Sequence, residues 1–266
     1  MKLSLKGIDV SSHNGIINWS KVKNTDIKFV VIRAGYGEGN IDKQFKYNIS
    51  ECNRLNIPCG VYWFSYANSI EDAKNEALSC IKLIKPYKID YPVCFDFEYD
   101  SINNLKNYGI TPTPTIINAY AETFLKEVEK AGYYAMLYTN KDYYNKYFKD
   151  LSKRFDIWYA QYSSKRDIEC GIWQKSSVGI VDGIKTAVDI NNAYKDYPAI
   201  IKSKNKGELV KTNELNSTNY LEYVKVAFDV TTGKYGNGID RKEKITKEGY
   251  NYDTVQSIVN IIVQYG

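Results

Sequence analysis

Two carboxylates two residues apart in an apolar strand are the feature of this sequence best suited to chemistry. The stretch Tyr91-Pro92-Val93-Cys94-Phe95-Asp96-Phe97-Glu98-Tyr99-Asp100 reads as a short buried strand opened by a proline. Side chains alternate faces along a strand, so Asp96 and Glu98 share one face, about 7 Å apart along the backbone. Val93, Phe95 and Phe97 turn to the other face. Like charges held that close push one pKa up and leave an acid beside a base. Taken alone, the same ten residues also suit a solvated edge strand with two exposed acids.

The elements that would position this pair repeat along the chain. Strands are expected at 7–11, 28–34, 58–64, the carboxylate stretch, 133–138, 156–161, 171–174 and 185–190. Helices are expected at 19–24, 42–56, 69–85, from the Thr111-Pro112-Thr113-Pro114-Thr115 turn through Ala131, and at 141–148. Ser69 caps the third of these, with Asp72 three residues on, and Pro86 stops it. Alternating strands and helices argue a parallel sheet, and eight strands argue a barrel. The last three strands have no room for helices between them, which makes the barrel irregular. In such barrels active sites sit at the C-terminal strand ends, where this chain places Asp9, Arg33, Tyr62, Asp96, Glu98, Tyr138, Gln161 and Asp189. Four carboxylates at one mouth, ringed by tyrosines and tryptophans, suit cleavage of a glycosidic bond: one acid protonates the leaving oxygen and another stabilises charge at the anomeric carbon. Phosphoryl or hydride chemistry would want a phosphate loop, and Gly35-Tyr36-Gly37-Glu38-Gly39 lacks the spacing and carries an acid.

Composition narrows the classes further. The chain has 266 residues, 44% hydrophobic, a net charge of +5, 25 tyrosines and five cysteines. No block of Lys and Arg marks nucleic-acid binding, and no apolar run is long enough to span a membrane. A mild positive charge helps approach to an anionic polymer such as a bacterial wall. The N-terminal Met1-Lys2-Leu3-Ser4-Leu5-Lys6-Gly7 carries no hydrophobic segment, so no signal peptide is expected and synthesis in a cytoplasm is. Cys52, Cys59, Cys80, Cys94 and Cys170 form no paired framework and read as free thiols, with Cys94 filling the barrel. His13 is the only histidine and has no cysteine cluster beside it; it lines a cleft or caps a loop, and no metal or cofactor is expected.

Seven segments in order resemble the glycoside hydrolase family 25 lysozymes, the Chalaropsis-type muramidases common among phage endolysins. They are Gly7-Ile8-Asp9-Val10-Ser11, Val31-Ile32-Arg33-Ala34-Gly35-Tyr36-Gly37, Gly60-Val61-Tyr62-Trp63-Phe64, Asp96-Phe97-Glu98, Leu137-Tyr138-Thr139-Asn140, Ile172-Trp173-Gln174 and Val188-Asp189-Ile190-Asn191. The resemblance covers about residues 5–195. It implies an irregular, TIM-like (β/α)5β3 barrel and hydrolysis of the β-1,4 bond between N-acetylmuramic acid and N-acetylglucosamine in peptidoglycan. By position it makes Glu98 the general acid/base and Asp96 its partner, orienting the substrate acetamido group or an intermediate. Asp9 and Asp189 become supporting carboxylates, and Arg33, Tyr62, Trp63, Tyr138 and Gln161 sugar contacts. Trp63 stands where many relatives have a histidine. Substrate assistance by the N-acetyl group, with retention of configuration, is the preferred mechanism; the strand spacing alone also allows inversion.

Domain boundaries are expected at 1–196 for the barrel, 197–219 for a linker and 220–266 for a small helical unit. Pro198 and Lys202-Ser203-Lys204-Asn205-Lys206-Gly207 mark the linker. Leu221–Val230, Arg241–Lys247 and Tyr252–Val263 show helical spacing, which suggests a three-helix bundle. Gly233-Lys234-Tyr235-Gly236-Asn237-Gly238-Ile239-Asp240-Arg241 and the following Gly249-Tyr250-Asn251-Tyr252-Asp253 resemble the CW_7 (Cpl-7-type) cell-wall-binding repeat, with Tyr235 where a tryptophan is usual. That resemblance implies binding of peptidoglycan disaccharide-peptide through Arg241, with Asp240, Tyr235, Gly236 and Gly238 shaping the pocket. The competing view is a helical cap whose Arg241 makes a surface salt bridge. A single repeat would gain avidity from weak self-association.

The combined expectation is an endolysin: a muramidase barrel and a wall anchor, held in the cytoplasm until a holin-type release lets it lyse the host wall. A wall-binding lectin without catalysis and a glycosidase acting on chitin-like polymers are the alternatives.

Overall fold

The computed structural model describes residues 3–203 and 217–265. Its contacts divide the chain into Met1–Lys202 and Ser203–Gly266.

The first unit is a closed barrel. Its strands are β1 (Leu5–Val10), β2 (Phe29–Tyr36), β3 (Asn40–Ile41), β4 (Cys59–Phe64), β5 (Val93–Asp96), β6 (Ala135–Asn140), β7 (Asp156–Ala160), β8 (Ile172–Gly179) and β9 (Val188–Ala193). Eight of them close the ring in the order β1-β9-β8-β7-β6-β5-β4-β2, with β2 pairing back to β1, and β3 is a short spur on β2. Helices α1 (Trp19–Lys23), α2 (Phe45–Arg54), α3 (Ile70–Ile84), α4 (Tyr99–Asn107), α5 (Pro114–Lys130) and α6 (Lys141–Tyr143), with a π turn over Tyr144–Phe148, fill the first five crossovers. The (β/α)5β3 reading therefore holds. The irregularity of the last third lies in β9, which runs antiparallel to both β1 and β8. The connection over 180–187 is too short for the crossover of a dozen or more residues that a parallel return needs.

Alternation along each strand sorts the side chains into two layers. Ile8, Val10, Val30, Ile32, Val61, Trp63, Phe95, Leu137, Ile157 and Tyr159 face outward into one core beneath the helices. Phe29, Val31, Cys94, Met136, Tyr138, Trp158 and Ile172 fill the barrel itself. All five cysteines are buried free thiols. Helix α4 is the element the sequence reading lacked. Its stretch is mostly polar and buries only Ser101, Ile102 and Leu105, so its apolar period is too sparse to announce a helix.

The expected linker does not begin at residue 197. Residues 197–203 are helical (α7), and Tyr197 is fully buried at the barrel floor, with its ring 5.5 Å from Tyr91 and 5.4 Å from Tyr134. Its hydroxyl donates to Asp156 Oδ2 at 2.7 Å, joining Lys195 Nζ at 2.8 Å and the Tyr134 hydroxyl at 3.2 Å. A Cβ on Gly171 would collide with that hydroxyl and with Asp156, so only glycine leaves room for this plug. Of the proposed linker, residues 204–216 lie outside the described residues.

The second unit is a three-helix bundle: α8 (Ser217–Thr231), α9 (Gly238–Lys247) and α10 (Tyr252–Tyr265). Its core gathers Tyr223, Val226, Ala227, Val230, Tyr235, Ile245, Val255, Ile258 and Val259. Among the described residues no helix is long and apolar enough to cross a membrane.

All four tryptophans lie in the barrel unit, so their fluorescence reports its unfolding alone. Tyr197→Phe removes a hydrogen bond to a half-buried carboxylate and should cost the barrel about 1–2 kcal/mol in urea melts followed by that signal. An unchanged midpoint would mean that Asp156 does not need the Tyr197 hydroxyl.

Candidate active site

The open end of the barrel holds a pit of about 240 Å³ lined by Asp9, Arg33, Tyr62, Phe64, Asp96, Glu98, Tyr138, Trp158, Tyr162, Gln174 and Asp189. The sequence expectation thus meets in one place for seven residues: Asp9, Arg33, Tyr62, Asp96, Glu98, Tyr138 and Asp189.

Asp189 reaches the pit because β9 is reversed. It stands near the N-terminal end of its strand, and the antiparallel register sets it directly opposite Asp9. Asp9 is 6% exposed, and its Oδ2 accepts from Gln174 Nε2 at 2.9 Å and Asn191 Nδ2 at 2.7 Å. Burial, reinforced by the charge of Asp189, holds the Asp9 carboxyl well above the usual carboxylate range. Burial raises Asp189 as well. The same two amides organise the wall. Gln174 Oε1 accepts from the hydroxyls of Tyr138 and Tyr162, each at 3.1 Å, and Asn191 Oδ1 accepts from Trp158 Nε1 at 2.8 Å. Trp158 in turn meets the rings of Tyr138 and Tyr62 edge-on. The sequence reading assigned no role to Gln174, Asn191 or Tyr162. Strand alternation could have found the first two, since Gln174 shares a face with Ile172 inside the barrel and Asn191 shares one with Asp189.

Asp96 ends β5, and its peptide oxygen accepts from Ser65 N at 2.7 Å. Its side chain is 4% exposed, and Oδ1 is buried without a hydrogen-bond partner among the described residues. Burial, then the charges of Glu98 and Asp9, push its pKa far up, and Arg33 pulls the other way. Glu98 lies one residue beyond Phe97, past the strand, as the N-cap of α4. Its backbone is extended there (φ −130°, ψ −163°), so the alternation of β5 continues and Glu98 keeps to the Asp96 side. Its amide donates to Ser101 Oγ at 3.1 Å. Burial, with smaller contributions from Asp100 and Asp189, raises Glu98 to about 7. A carboxyl raised this far can give a proton or take one near neutral pH.

Two clefts flank the pit. One, about 430 Å³, is lined by Glu98, Tyr99, Tyr138, Asn140, Lys141, Asp142, Ala160, Gln161 and Tyr162. Tyr99 and Tyr162 are 54% and 59% exposed, so both offer open ring surface. Gln161 is placed here, where its Oε1 accepts from Asp167 N at 2.9 Å. The other cleft, about 620 Å³, is lined by Ser12, His13, Arg33, Tyr36, Lys43, Phe64, Tyr66 and Asp100. Arg33 is fixed between pit and cleft by Asp42 Oδ2 at 2.8 Å and Ser12 Oγ at 3.1 Å. Shared residues make the three cavities one groove across the mouth. His13 lines it, as one of its two expected places.

Trp63 is the expected contact that the structure removes. It alternates with Tyr62 and Phe64, so it points outward, 1% exposed, with Nε1 donating to Gly37 O at 3.1 Å. Gly35 lets its ring approach β2: a Cβ there would sit 2.6 Å from Trp63 Cζ3. Among the described residues no cluster of His, Cys, Asp or Glu could hold a metal.

In the bundle, Arg241 donates to Gly236 O at 2.9 Å, Asn237 Oδ1 at 2.8 Å and Gln256 Oε1 at 3.4 Å, all uncharged acceptors. The surface salt bridge of the competing view is therefore not what holds it. Gly236 and Gly238 take positive φ in the loop that Arg241 closes. Tyr235 is buried, and its hydroxyl donates to Glu248 Oε2; Asp240 is exposed in the first turn of α9.

The model of glycosyl hydrolases family 25 matches residues 8–184, and that of the CW_7 repeat matches residues 225–263. The autolytic lysozyme of Clostridium acetobutylicum is 24% identical over 190 residues, covering 70% of this chain and 55% of its own length. The modular autolysin LytC of Streptococcus pneumoniae is similar in structure, with a TM-score of 0.64 at 33% identity over 72% of this chain and 47% of that one. The CTP1L endolysin shares the fold, with a TM-score of 0.63 at 22% identity over 74% of this chain and 69% of that one. This chain spans about half the length of the first two relatives.

A carboxyl raised to about 7 in the fold ionises at its ordinary value near 4.5 once unfolded. Its burial therefore costs nothing below that value, and the cost grows as pH rises toward 7 and is full above it. Glu98→Gln removes the cost, so the variant should match the parent at pH 4 and be about 3 kcal/mol more stable at pH 8. Thermal melts at the two pH values check this, and equal shifts at both would contradict a raised Glu98.

Proposed function

The chain belongs to glycosyl hydrolase family 25, and from that premise we propose that its barrel is a muramidase hydrolysing the β-1,4 bond between N-acetylmuramic acid and N-acetylglucosamine in peptidoglycan. The observation that carries this reading is Glu98: a carboxyl raised to about 7, beside the buried Asp96, in a groove lined by tyrosines.

A polysaccharide laid along the groove would stack its rings on Tyr99 and Tyr162. Glu98 would protonate the glycosidic oxygen as the bond to the anomeric carbon breaks. The acetamido oxygen of the same sugar then bonds that carbon, and Asp96 orients the amide and offsets the positive charge. Water opens the resulting ring while Glu98 takes back a proton, so configuration is retained. Asp9 and Asp189 hold the charge balance beneath the sugar, and Arg33, Tyr62, Tyr138 and Gln161 line its path. The bundle would anchor the enzyme to the wall through the Arg241 loop. Lysis of a host wall from within, as an endolysin, is the setting this pairing of modules suits.

Digestion of purified Gram-positive peptidoglycan, followed by borohydride reduction and mass spectrometry, should show new reducing muramic acid. Glu98→Gln should lower the rate by about 10²–10⁴-fold, the span of general acid catalysis. The parent's kcat/KM should fall with rising pH above about 7, as Glu98 loses its proton. New reducing glucosamine would make the barrel a glucosaminidase, and no cleavage would favour a lectin.

Arg241→Ala should weaken binding of the full chain to purified walls by about tenfold, from lost charged hydrogen bonds, and leave turnover of soluble fragments unchanged. Unaltered wall binding would reduce the bundle to a structural cap.

A further inference from the structure

Glu76 is a buried carboxyl that the chemistry above does not use. It sits on α3, 1% exposed, on the face shared with Ala73, Ala77 and Cys80. Its Oε1 accepts from Tyr66 N at 2.8 Å, and Oε2 is buried with no partner among the described residues. An apolar side chain would fill that place without the desolvation cost of an acid. Burial holds Glu76 up at about 7, against the pull of Ser65 and of the Tyr66 amide.

What the carboxyl grips is the start of the segment from β4 to α3. Ser65 N donates to the peptide oxygen of Asp96 at 2.7 Å, and Asn104 Nδ2 donates to Tyr66 O at 2.9 Å. The rings of Phe64 and Tyr66 lie 5.1 Å apart, and Tyr36 meets Tyr66 edge-on at 6.5 Å. All three rings line the 620 Å³ cleft, and Phe64 also lines the pit. A single segment therefore ties the end of the Asp96 strand to one wall of the groove.

We propose that Glu76 is a positioning residue: by gripping the Tyr66 amide it sets the Tyr66 ring as the surface on which the polymer lies beyond the scissile bond. This rests on the polysaccharide reading of the groove. Tyr66 would touch substrate, and Glu76 acts only through it.

The test uses the full chain with Glu76→Leu, Glu76→Gln, Tyr66→Ala and the Glu76→Leu/Tyr66→Ala pair, assayed on peptidoglycan. Glu76→Leu is expected to raise KM about tenfold, with kcat within about twofold, and Glu76→Gln to stay near the parent because its amide oxygen still accepts from Tyr66 N. In the Tyr66→Ala background Glu76→Leu should add nothing further. A fall in kcat with KM unchanged, or an additive loss in the pair, would overturn the proposal and leave Glu76 a structural group. If Glu76→Leu fails to fold, Glu76→Ala likewise removes the acceptor of Tyr66 N and should raise KM severalfold; no rise would overturn the proposal equally. Affinity for a soluble disaccharide-peptide fragment, measured in the Glu98→Gln background, keeps the two readings apart. A loss of binding on Glu76→Leu there would support Glu76 even if the parent turned over no peptidoglycan.

Discussion

Four carboxyl groups gathered in one largely buried pit cannot all be ionised, and much of the structure follows from that constraint. Asp9, Asp96, Glu98 and Asp189 are each raised, with burial as the first cause in every case. The protein limits the repulsion by dividing the four into unlike surroundings. Asp9 receives two amide donors and faces Asp189 across a strand pair. Asp96 keeps a buried oxygen unpaired, while Glu98 sits at the rim between pit and cleft. Groups of one type in unlike settings titrate apart, which is how one mouth comes to hold both an acid and a base.

Barrel closure serves the same end. A barrel of eight parallel strands would carry the start of its last strand to the floor, and with it Asp189. Reversing β9 brings that start to the mouth and sets Asp189 against Asp9, while Asn191, two residues on and on the same face, bonds both Asp9 and Trp158. The irregular last third is thus what places the fourth carboxyl and one of the two amides that hold Asp9.

The sequence made the alternation of strands and helices legible, and with it the barrel and most of the pit, because each inward side chain at a strand end is fixed by a period of two. It misled where a residue's type outweighed that period. Trp63 lies between two groove residues and so must point away from them, which its aromatic character concealed. Helix α4 was hidden by polar residues that serve its exposed face, and Tyr197 by the lysine-rich tail that follows it. Gln174 and Asn191 were visible within recognised segments, and alternation puts both on the inner face, but their role, donating to a group on another strand, is set by tertiary pairing. Glu76 was hidden for a related reason: an acid in the middle of a helix reads as surface until the fold buries it.

The two ends of the barrel show why the mouth is built for work. At the floor, Asp156 Oδ2 accepts from Tyr134, Tyr197 and Lys195, and Oδ1 accepts from the amide of Ile157. Every oxygen is answered, and the tyrosines that answer it also seal the barrel. At the mouth, Asp96 has the same side chain and is buried more deeply, yet its Oδ1 has no partner among the described residues. Nothing in the fold forbids a donor there, for Gln174 and Asn191 supply two to Asp9 from neighbouring strands. A chain able to satisfy a buried carboxylate at one end has left another unsatisfied where Glu98 and the groove converge. Such a group costs stability in the empty site and gains a partner only when something polar enters.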